Sequence, residues 1–364
     1  MSETDFGKRD DKGHYRPAKR VGYPPVFVWP AQPVRALRWV FALPGYFLPW
    51  NLFYVAVGLL AWFVLSPPLE AYASPDPLLV VLVYLRNAAL VALYYGAFHL
   101  RLYTARAQGT AFKFNPRWPA AKSAKFLFGN QNLDNIFLTF ASGVTIWTAF
   151  EIGLLWLAAQ GYVSVITLEG NWVYFIAMVL LVHLWRDLHF YVIHRLIHVR
   201  ALYPIVHRVH HRNINPGPWS GLAMHPLEHL FYFSCALLYL LLPFHPAFVI
   251  VVLVHAGLSP APGHLGFERV RAGGSRSFDA DAYAHYLHHK HFECNYADGI
   301  LPLDRWFGTF HDGSEEAEQR LESARRPERL VQLRRRALEQ CGEREEQVGQ
   351  QLWLDLWRRD EGHH

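Results

Sequence analysis

Four long apolar runs constrain the fold of this chain more than any other feature of its sequence. They cover residues 51–65, 78–100, 136–159 and 172–197, and Arg86 and Glu151 are charged residues inside them. A helix needs about 20 mostly apolar residues to cross a bilayer. An apolar content of 52% with only 18% charged residues also fits a membrane protein with polar parts. The sequence therefore predicts an all-α, integral-membrane helical bundle of about four spans.

The charges in the connections predict the orientation of the bundle. The segments 67–77 and 160–171 contain no Lys or Arg, whereas 101–125 and the first twenty residues contain six basic residues each. Basic residues are retained preferentially on the cytosolic side. We therefore expect a multi-pass protein with both termini in the cytosol and four spans. The mixed, polar N-terminus predicts no cleavable signal peptide.

A fifth apolar run, 230–254, is interrupted by Pro243-Phe-His-Pro246. Each half has about a dozen residues, which is too short to cross a bilayer. Histidines precede the run at His225 and His229 and follow it at His255 and His264. If these histidines reach one site, the run enters and leaves on one side. We expect a re-entrant or interfacial hairpin with its tip between the two prolines.

Histidine clusters begin in the last residues of the fourth run, and their spacing is that of a metal site. The patterns are HxxxH, HxxHH and HxxHH, and on a helix residues three or four apart share a side. The eight imidazoles are His194, His198, His207, His210, His211, His285, His288 and His289. They are too many for one ion and about right for two. We predict a His-rich di-metal site in a cytosolic helical cap.

The ligand type restricts the metal to zinc, copper, iron or nickel, because imidazole does not suit magnesium or calcium. The three cysteines are widely spaced and form no CxxC, which argues against a cysteine zinc site. Two redox-active irons could jointly activate dioxygen, and a membrane location offers an apolar substrate. Asp187 and Tyr191, each seven residues before a cluster histidine, are predicted to support the ligating imidazoles, Asp187 by accepting a hydrogen bond.

The ordered motifs between residues 180 and 310 resemble those of the fatty acid hydroxylase/sterol desaturase superfamily of integral-membrane di-iron enzymes. The matching segments are DLHFYVIHRLIH at 187–198, LYPIVHRVHH at 202–211, HPLE at 225–228, Gly263-His264, HYLHH at 285–289, Asn295-Tyr296 and DRWFGT at 304–309. Ala297 departs from the pattern, in which Gly commonly follows Asn-Tyr. The resemblance supports His225 and His264 as further metal ligands, and spacing from His225 adds His229.

The resemblance implies an oxidoreductase for lipid biosynthesis, which uses two Fe ions and O2 to hydroxylate or desaturate a sterol, fatty acyl or sphingolipid-type substrate. Electrons would come from NAD(P)H through a separate reductase and a cytochrome b5-like or ferredoxin-like carrier. We divide the chain into a polar N-terminal segment (1–48), a transmembrane scaffold (49–182), a His-box catalytic domain (183–311) and a charged helical tail (312–364). No nucleic-acid partner is expected, because basic residues and stacking aromatics form no recognisable module.

Two other classes of function remain as alternatives at this point. Paired histidines on membrane spans can bind haem in an electron-carrying cytochrome, although haem takes single ligands from opposite sides of the porphyrin. A histidine-lined metal transporter would place its ligands near the middle of the bilayer on several spans. The clusters here follow the end of the fourth run instead.

Overall fold

The computed structural model describes residues 2–273, 276–325 and 353–358, and the chain divides into two compact units, Met1–Phe310 and His311–His364. The helices of the first unit are α1 (Pro33–Phe41), α2 (Trp50–Phe63), α3 (Pro77–His99), α4 (Gln131–Leu138), α5 (Thr145–Ala159), α6 (Trp172–Ile197), α7 (Tyr203–Val206), α8 (Arg208–His211), α9 (Pro226–Phe233), α10 (Pro246–Leu258), α11 (Pro260–Gly263), α12 (Tyr283–His291) and α13 (Leu303–Trp306). Two antiparallel pairs join strands β1 (Gly7–Arg9) and β2 (Tyr15–Pro17), and β3 (Arg269–Gly273) and β4 (Arg276–Asp279). In the second unit, 315–325 and 353–358 are helical. The remainder of the predicted helical tail lies outside the described residues.

In the described part of the chain, four helical stretches are long and apolar enough to cross a membrane, which agrees with the predicted helical bundle. They are Pro77–Thr104, Gln131–Ala159, Trp172–Ile197 and Pro246–Gly263. The first three contain predicted spans. The predicted span at 51–65 is α2, whose 14 residues are fewer than a perpendicular span requires. The fourth stretch, Pro246–Gly263, begins in the second half of the interrupted run. It is long enough to count as a candidate span because helical structure continues past residue 254 as far as Gly263.

The interrupted run forms a hairpin whose tip reaches the far end of the bundle. Its first arm is α9 followed by a 3-10 segment, Ser234–Leu240, and its second arm is α10. At the tip, the N–H of Phe244 donates to the carbonyl of Ser164 (3.0 Å), and the N–H of Ile166 donates to the carbonyl of Phe244 (3.0 Å). The tip therefore contacts the α5–α6 connection. The arms are longer than expected, and both outer ends lie near the histidine clusters.

Helix α10 forms the centre of the bundle, and all 13 of its residues are buried. It packs closely against α2 at Gly58, where an added Cβ would lie 2.7 Å from the Cα of Val251. Glycine is the residue that permits this backbone approach. The two charges noted in the apolar runs pair with each other, because the guanidinium of Arg86 lies 2.5 Å from the carboxylate of Glu151. Both side chains are buried, as intramembrane charges commonly are when they pair inside a bundle.

The region around the histidine clusters has its own hydrophobic support. Phe114, Leu265 and Phe267 are buried against the face of α12 that carries Tyr286 and Leu287. This packing fixes the position of α12 and of the histidines on its opposite face. Part of the N-terminal segment joins the support, because the N–H of Tyr15 in β2 donates to the carbonyl of Phe114 (2.9 Å). The sequence predicted neither pair of strands.

Candidate metal centre

Nine buried or half-buried histidines form two groups. Within each group, the ring nitrogens that could bind a metal lie within 4.8 Å of one another. The first group contains His194, His198, His207, His211 and His288. In it, Nε2 of His194 lies 3.1 Å from Nε2 of His207, and Nε2 of His211 lies 3.2 Å from Nε2 of His198 and 3.1 Å from Nε2 of His288. One position between these nitrogens could therefore be ligated from several helices.

The second group contains His210, His264, His285 and His289. Nε2 of His264 lies 2.9 Å from Nε2 of His285, 3.0 Å from that of His289 and 3.3 Å from that of His210. The two groups are adjacent, since the rings of His207 and His210 stack with centroids 5.3 Å apart. The histidines thus form a pair of neighbouring sites, which is the arrangement expected for two ions.

Each HxxHH motif divides its imidazoles between the two groups. His207 and His211 belong to the first group and His210 to the second, whereas His288 belongs to the first and His285 and His289 to the second. Residues four apart on a helix face the same way, while consecutive residues diverge by about 100°. The double histidine at the end of each motif therefore places one ring in each site.

Backbone carbonyls orient three of the rings through their other nitrogen. Nδ1 of His194 donates to the carbonyl of Tyr296 (2.7 Å), Nδ1 of His288 to that of Cys294 (2.7 Å), and Nδ1 of His264 to that of Pro260 (2.8 Å). A proton on Nδ1 leaves the lone pair on Nε2 free to bind a metal. These contacts both select the tautomer and point Nε2 into the site.

The protonation states of these histidines also suit metal binding. Burial lowers the pKa values of His207, His211 and His288 well below the usual range, and burial lowers the pKa of His264 to about 4. These imidazoles are therefore neutral at physiological pH, which is the form that binds metals. Converging neutral lone pairs repel one another unless a cation lies between them. The donor set consequently fits two transition-metal ions.

A carboxylate contacts His207. Oε1 of Glu228 lies 2.6 Å from Nδ1 of His207, and both side chains are buried. Burial raises the pKa of Glu228 well above its usual value. Its position at the start of α9 follows from the HPLE segment, in which Pro226 begins the helix.

Asp187 and Tyr191 contact residues outside the two histidine groups. Oδ2 of Asp187 accepts a hydrogen bond from the N–H of Ile300 (2.7 Å) and so anchors the loop that follows Tyr296. Tyr191 stacks on Phe307, with ring centroids 5.7 Å apart. Neither is a member of the two histidine groups of the described chain. The contact predicted for Asp187, a carboxylate on a ligating imidazole, is made by Glu228.

His225 and His229 also lie outside both groups that the described residues form. Nδ1 of His225 accepts from the N–H of Leu227 (3.2 Å) and caps α9. Nδ1 of His229 lies 2.9 Å from Oγ of Ser142, and its Nε2 lies 3.2 Å from the carbonyl of Leu222. Since both ring nitrogens of His229 are used by the protein, the geometry leaves it no lone pair for a metal. The candidate metal ligands are therefore the other nine histidines.

Asp298 is a site residue that no sequence motif identified. Its carboxylate lies 3.7 Å from Nδ1 of His285. Burial, followed by the neighbouring charge of Asp187, raises the pKa of Asp298 to about 8. It comes next to the departure at Ala297, in a loop whose path depends on contacts with α6 and α13.

A cavity of about 260 Å³ extends from the histidine groups into the bundle. His194, His207, His210, His264 and His285 line it at one end. Its wall continues along α6 through Phe190, Arg186 and His183, and it also includes Trp50, Tyr54, Tyr232 and His255. The cavity therefore connects the edge of the histidine site with the interior of the bundle.

Comparison with known proteins gives partial but consistent matches. Residues 179–309 match the model of the fatty acid hydroxylase family. Over 152 residues, 39% of the chain, the sequence is 31% identical to Delta(7)-sterol 5(6)-desaturase ERG3B of Gibberella zeae, of which 44% is covered. It is 26% identical over 172 residues, again 39% of the chain, to Delta(7)-sterol 5(6)-desaturase erg3C of Aspergillus fumigatus, of which 50% is covered.

A third relative has a differently named activity. The chain is 32% identical over 136 residues to methylsterol monooxygenase 1 of Gallus gallus, covering 34% of the chain and 43% of that protein. The matches thus span half or less of the length of each of these three relatives. No solved structure matches the chain.

Proposed function

Because residues 179–309 match the fatty acid hydroxylase family, we propose that the chain is a member of the fatty acid hydroxylase/sterol desaturase superfamily and an O2-dependent di-iron oxidoreductase. Its substrate would be a membrane lipid of the sterol, fatty acyl or sphingolipid type, which it would hydroxylate or desaturate. The relatives named above are a sterol desaturase from each of two fungi and a methylsterol monooxygenase. They support a lipid-modifying oxidoreductase.

The observation that carries the proposal is the division of nine imidazoles into two adjacent groups. All-imidazole sites suit redox metals such as iron, and five and four ligands would leave room for oxygen at each ion. Two irons bound there would supply dioxygen activation and abstraction of hydrogen from the substrate. Zinc could occupy the same ligands, so the metal present during turnover has to be measured.

The protein's own residues would position the ligands and the substrate. The carbonyls of Tyr296, Cys294 and Pro260 and the carboxylate of Glu228 hold imidazoles in fixed orientations. The cavity would hold the reacting carbon next to the histidines, and a bound lipid would exclude water from it. Exclusion of water protects a strong oxidant from side reactions.

We further propose that the site lies on the cytosolic side of the membrane. The basic residues of 101–125 and the basic N-terminus support this orientation. Electrons would then come from NAD(P)H through a separate reductase and a cytochrome b5-like or ferredoxin-like protein. The lipid would enter the cavity from within the bilayer.

The geometry disfavours the two alternatives. Ligand atoms that converge within 4.8 Å leave no space for a porphyrin between them. A transporter would distribute its ligands along a pathway, whereas both groups here lie together at the C-terminal end of α6.

The full chain, purified from membranes of cells grown with sufficient iron, provides the test. We expect about two irons per chain, no Soret band, and oxidation of a lipid that depends on O2 and on a reductant. Lipid profiles of cells with and without the gene would identify the substrate. Full oxidation activity with one metal or none would contradict the proposal, and so would an intense Soret band.

A further inference from the structure

The end of the cavity away from the histidine groups contains a second set of polar side chains. His183 and Arg186 on α6 and His255 on α10 all line the cavity and are buried. The rings of His183 and His255 are close, with centroids 4.7 Å apart, and Tyr54 contacts His255 edge to face at 5.1 Å. These residues are not members of the metal groups formed by the described chain.

Several of their polar atoms have no hydrogen-bond partner among the described residues. They are Nδ1 of His183, Nδ1 of His255, and Nε and Nη1 of Arg186. The third guanidinium nitrogen, Nη2, donates to the hydroxyl of Tyr232 (2.9 Å), which in turn donates to the carbonyl of Ala256 (2.8 Å). Unpaired polar groups in an apolar interior are costly unless a ligand or water pairs with them. Their place on the cavity wall indicates a ligand.

We propose that His183, Arg186 and His255 bind an oxygen of the lipid substrate, and that this oxygen is an alcohol hydroxyl. A hydroxyl can accept from a guanidinium N–H and also donate to, or accept from, an imidazole nitrogen. A carboxylate is disfavoured, because the acidic side chain of Asp187 lines the same cavity. This inference rests on the proposed function, since it treats the cavity as the substrate site.

The spacing along α6 separates this oxygen from the reacting carbon. With a rise of about 1.5 Å per residue, Arg186 precedes His194 by roughly 12 Å along the helix, and His183 precedes it by roughly 16 Å. Between them, Phe190 contacts His194 with ring centroids 4.8 Å apart and also faces Tyr232. The oxidised carbon would therefore lie near the end of an extended or rigid molecule opposite its hydroxyl.

Two matched pairs of probes test this recognition without turnover. Binding of cholesterol and of 5-cholestene, which lacks the hydroxyl, would be measured with the full protein in lipid nanodiscs, together with binding of octadecanol and octadecane. A hydrogen bond to a charged group predicts that the hydroxyl probe binds about 10- to 100-fold more tightly. Tighter binding of cholesterol than of 5-cholestene would identify the substrate as a ring alcohol. Tighter binding of octadecanol than of octadecane would identify it as a long-chain alcohol.

Variants then connect the preference to these residues. Arg186→Met and His255→Phe should reduce the ratio of affinities towards one while retaining the metal content of the wild type. If Arg186→Met does not fold, His255→Phe, which replaces one ring by another, carries the test. His245→Asn is the matched control, because His245 caps the other end of α10 and Asn can also cap a helix.

Equal affinities of wild-type protein for both members of each pair would overturn the inference. An undiminished ratio in both variants would also overturn it. Failure of the proposed function is a separate outcome, because it would show as iron-loaded wild-type protein that oxidises no lipid. The position oxidised in a lipid product gives a further check, since oxidation next to the hydroxyl would contradict the spacing.

Discussion

The carboxylate of Glu228 lies 2.6 Å from Nδ1 of His207 and connects the hairpin to the metal centre. Glu228 is in the first turn of α9, whereas His207 immediately precedes α8. A carboxylate in this position orients the imidazole and increases its basicity as a ligand. The hairpin is therefore more than a membrane anchor, because it contributes directly to the geometry of the first histidine group.

Glu228→Gln should weaken metal binding in the first group. The amide keeps the size of the side chain but cannot be deprotonated to a carboxylate, and loss of such a contact typically lowers metal affinity or activity about 10- to 100-fold. Metal retention during dialysis against a chelator would measure the effect. Glu70→Gln changes an exposed acid outside the site and serves as the control. If Glu228→Gln retained metal and activity as the control does, the contact would have no role in ligation.

The neighbouring residues His288 and His289 should affect different ions. His288 belongs to the group of five imidazoles and His289 to the group of four. We expect His288→Ala and His289→Ala each to lower the metal content from about two towards one per chain and to abolish lipid oxidation. Iron analysis combined with Mössbauer spectroscopy would distinguish which environment is lost. Loss of the same spectral component in both variants would contradict the assignment to two groups.

The histidines before the hairpin give a test of the ligand set itself. His225→Asn should retain both metals, because Asn can replace the capping contact to Leu227. His229→Gln should also retain them, although it should lower thermal stability, since His229 is fully buried between Ser142 and Leu222. Metal content and melting temperature would be measured on each variant. Loss of one metal from either would restore that histidine to the ligand set.

The spacing of the histidines was sufficient to predict much of this site. All eight histidines of the three clusters lie in the two groups, and His264 joins them from the end of the hairpin. Helical geometry also explains why each double histidine divides between the groups. The sequence did not reveal the contacts of Glu228 and Asp298 or the carbonyls that orient the rings, because these depend on how separate segments pack together.

The sequence predicted some membrane helices better than others. Long apolar runs identified three candidate spans, since length and composition are local properties. Helix α2 and the interrupted run were harder to interpret. The prolines at 243 and 246 correctly marked the tip, but the burial of Phe244 against the 160–171 connection is a tertiary contact. The strand pairs β1–β2 and β3–β4 are short and have no distinct periodic pattern in the sequence.

The orientation of the bundle leads to the last prediction. Single reporter cysteines would be placed in a cysteine-free background at Ser74, Ile214 and Phe244. Ser74 and Ile214 are exposed, and they lie respectively in a connection without basic residues and between the histidine clusters. Ile214→Cys should react with an impermeant reagent only from the cytosol, and Ser74→Cys only from outside. Phe244→Cys should be protected from both sides, because Phe244 is fully buried and hydrogen-bonded to the 160–171 connection. Labelling of Ile214→Cys from outside would place the metal centre on the wrong side for a cytosolic electron donor.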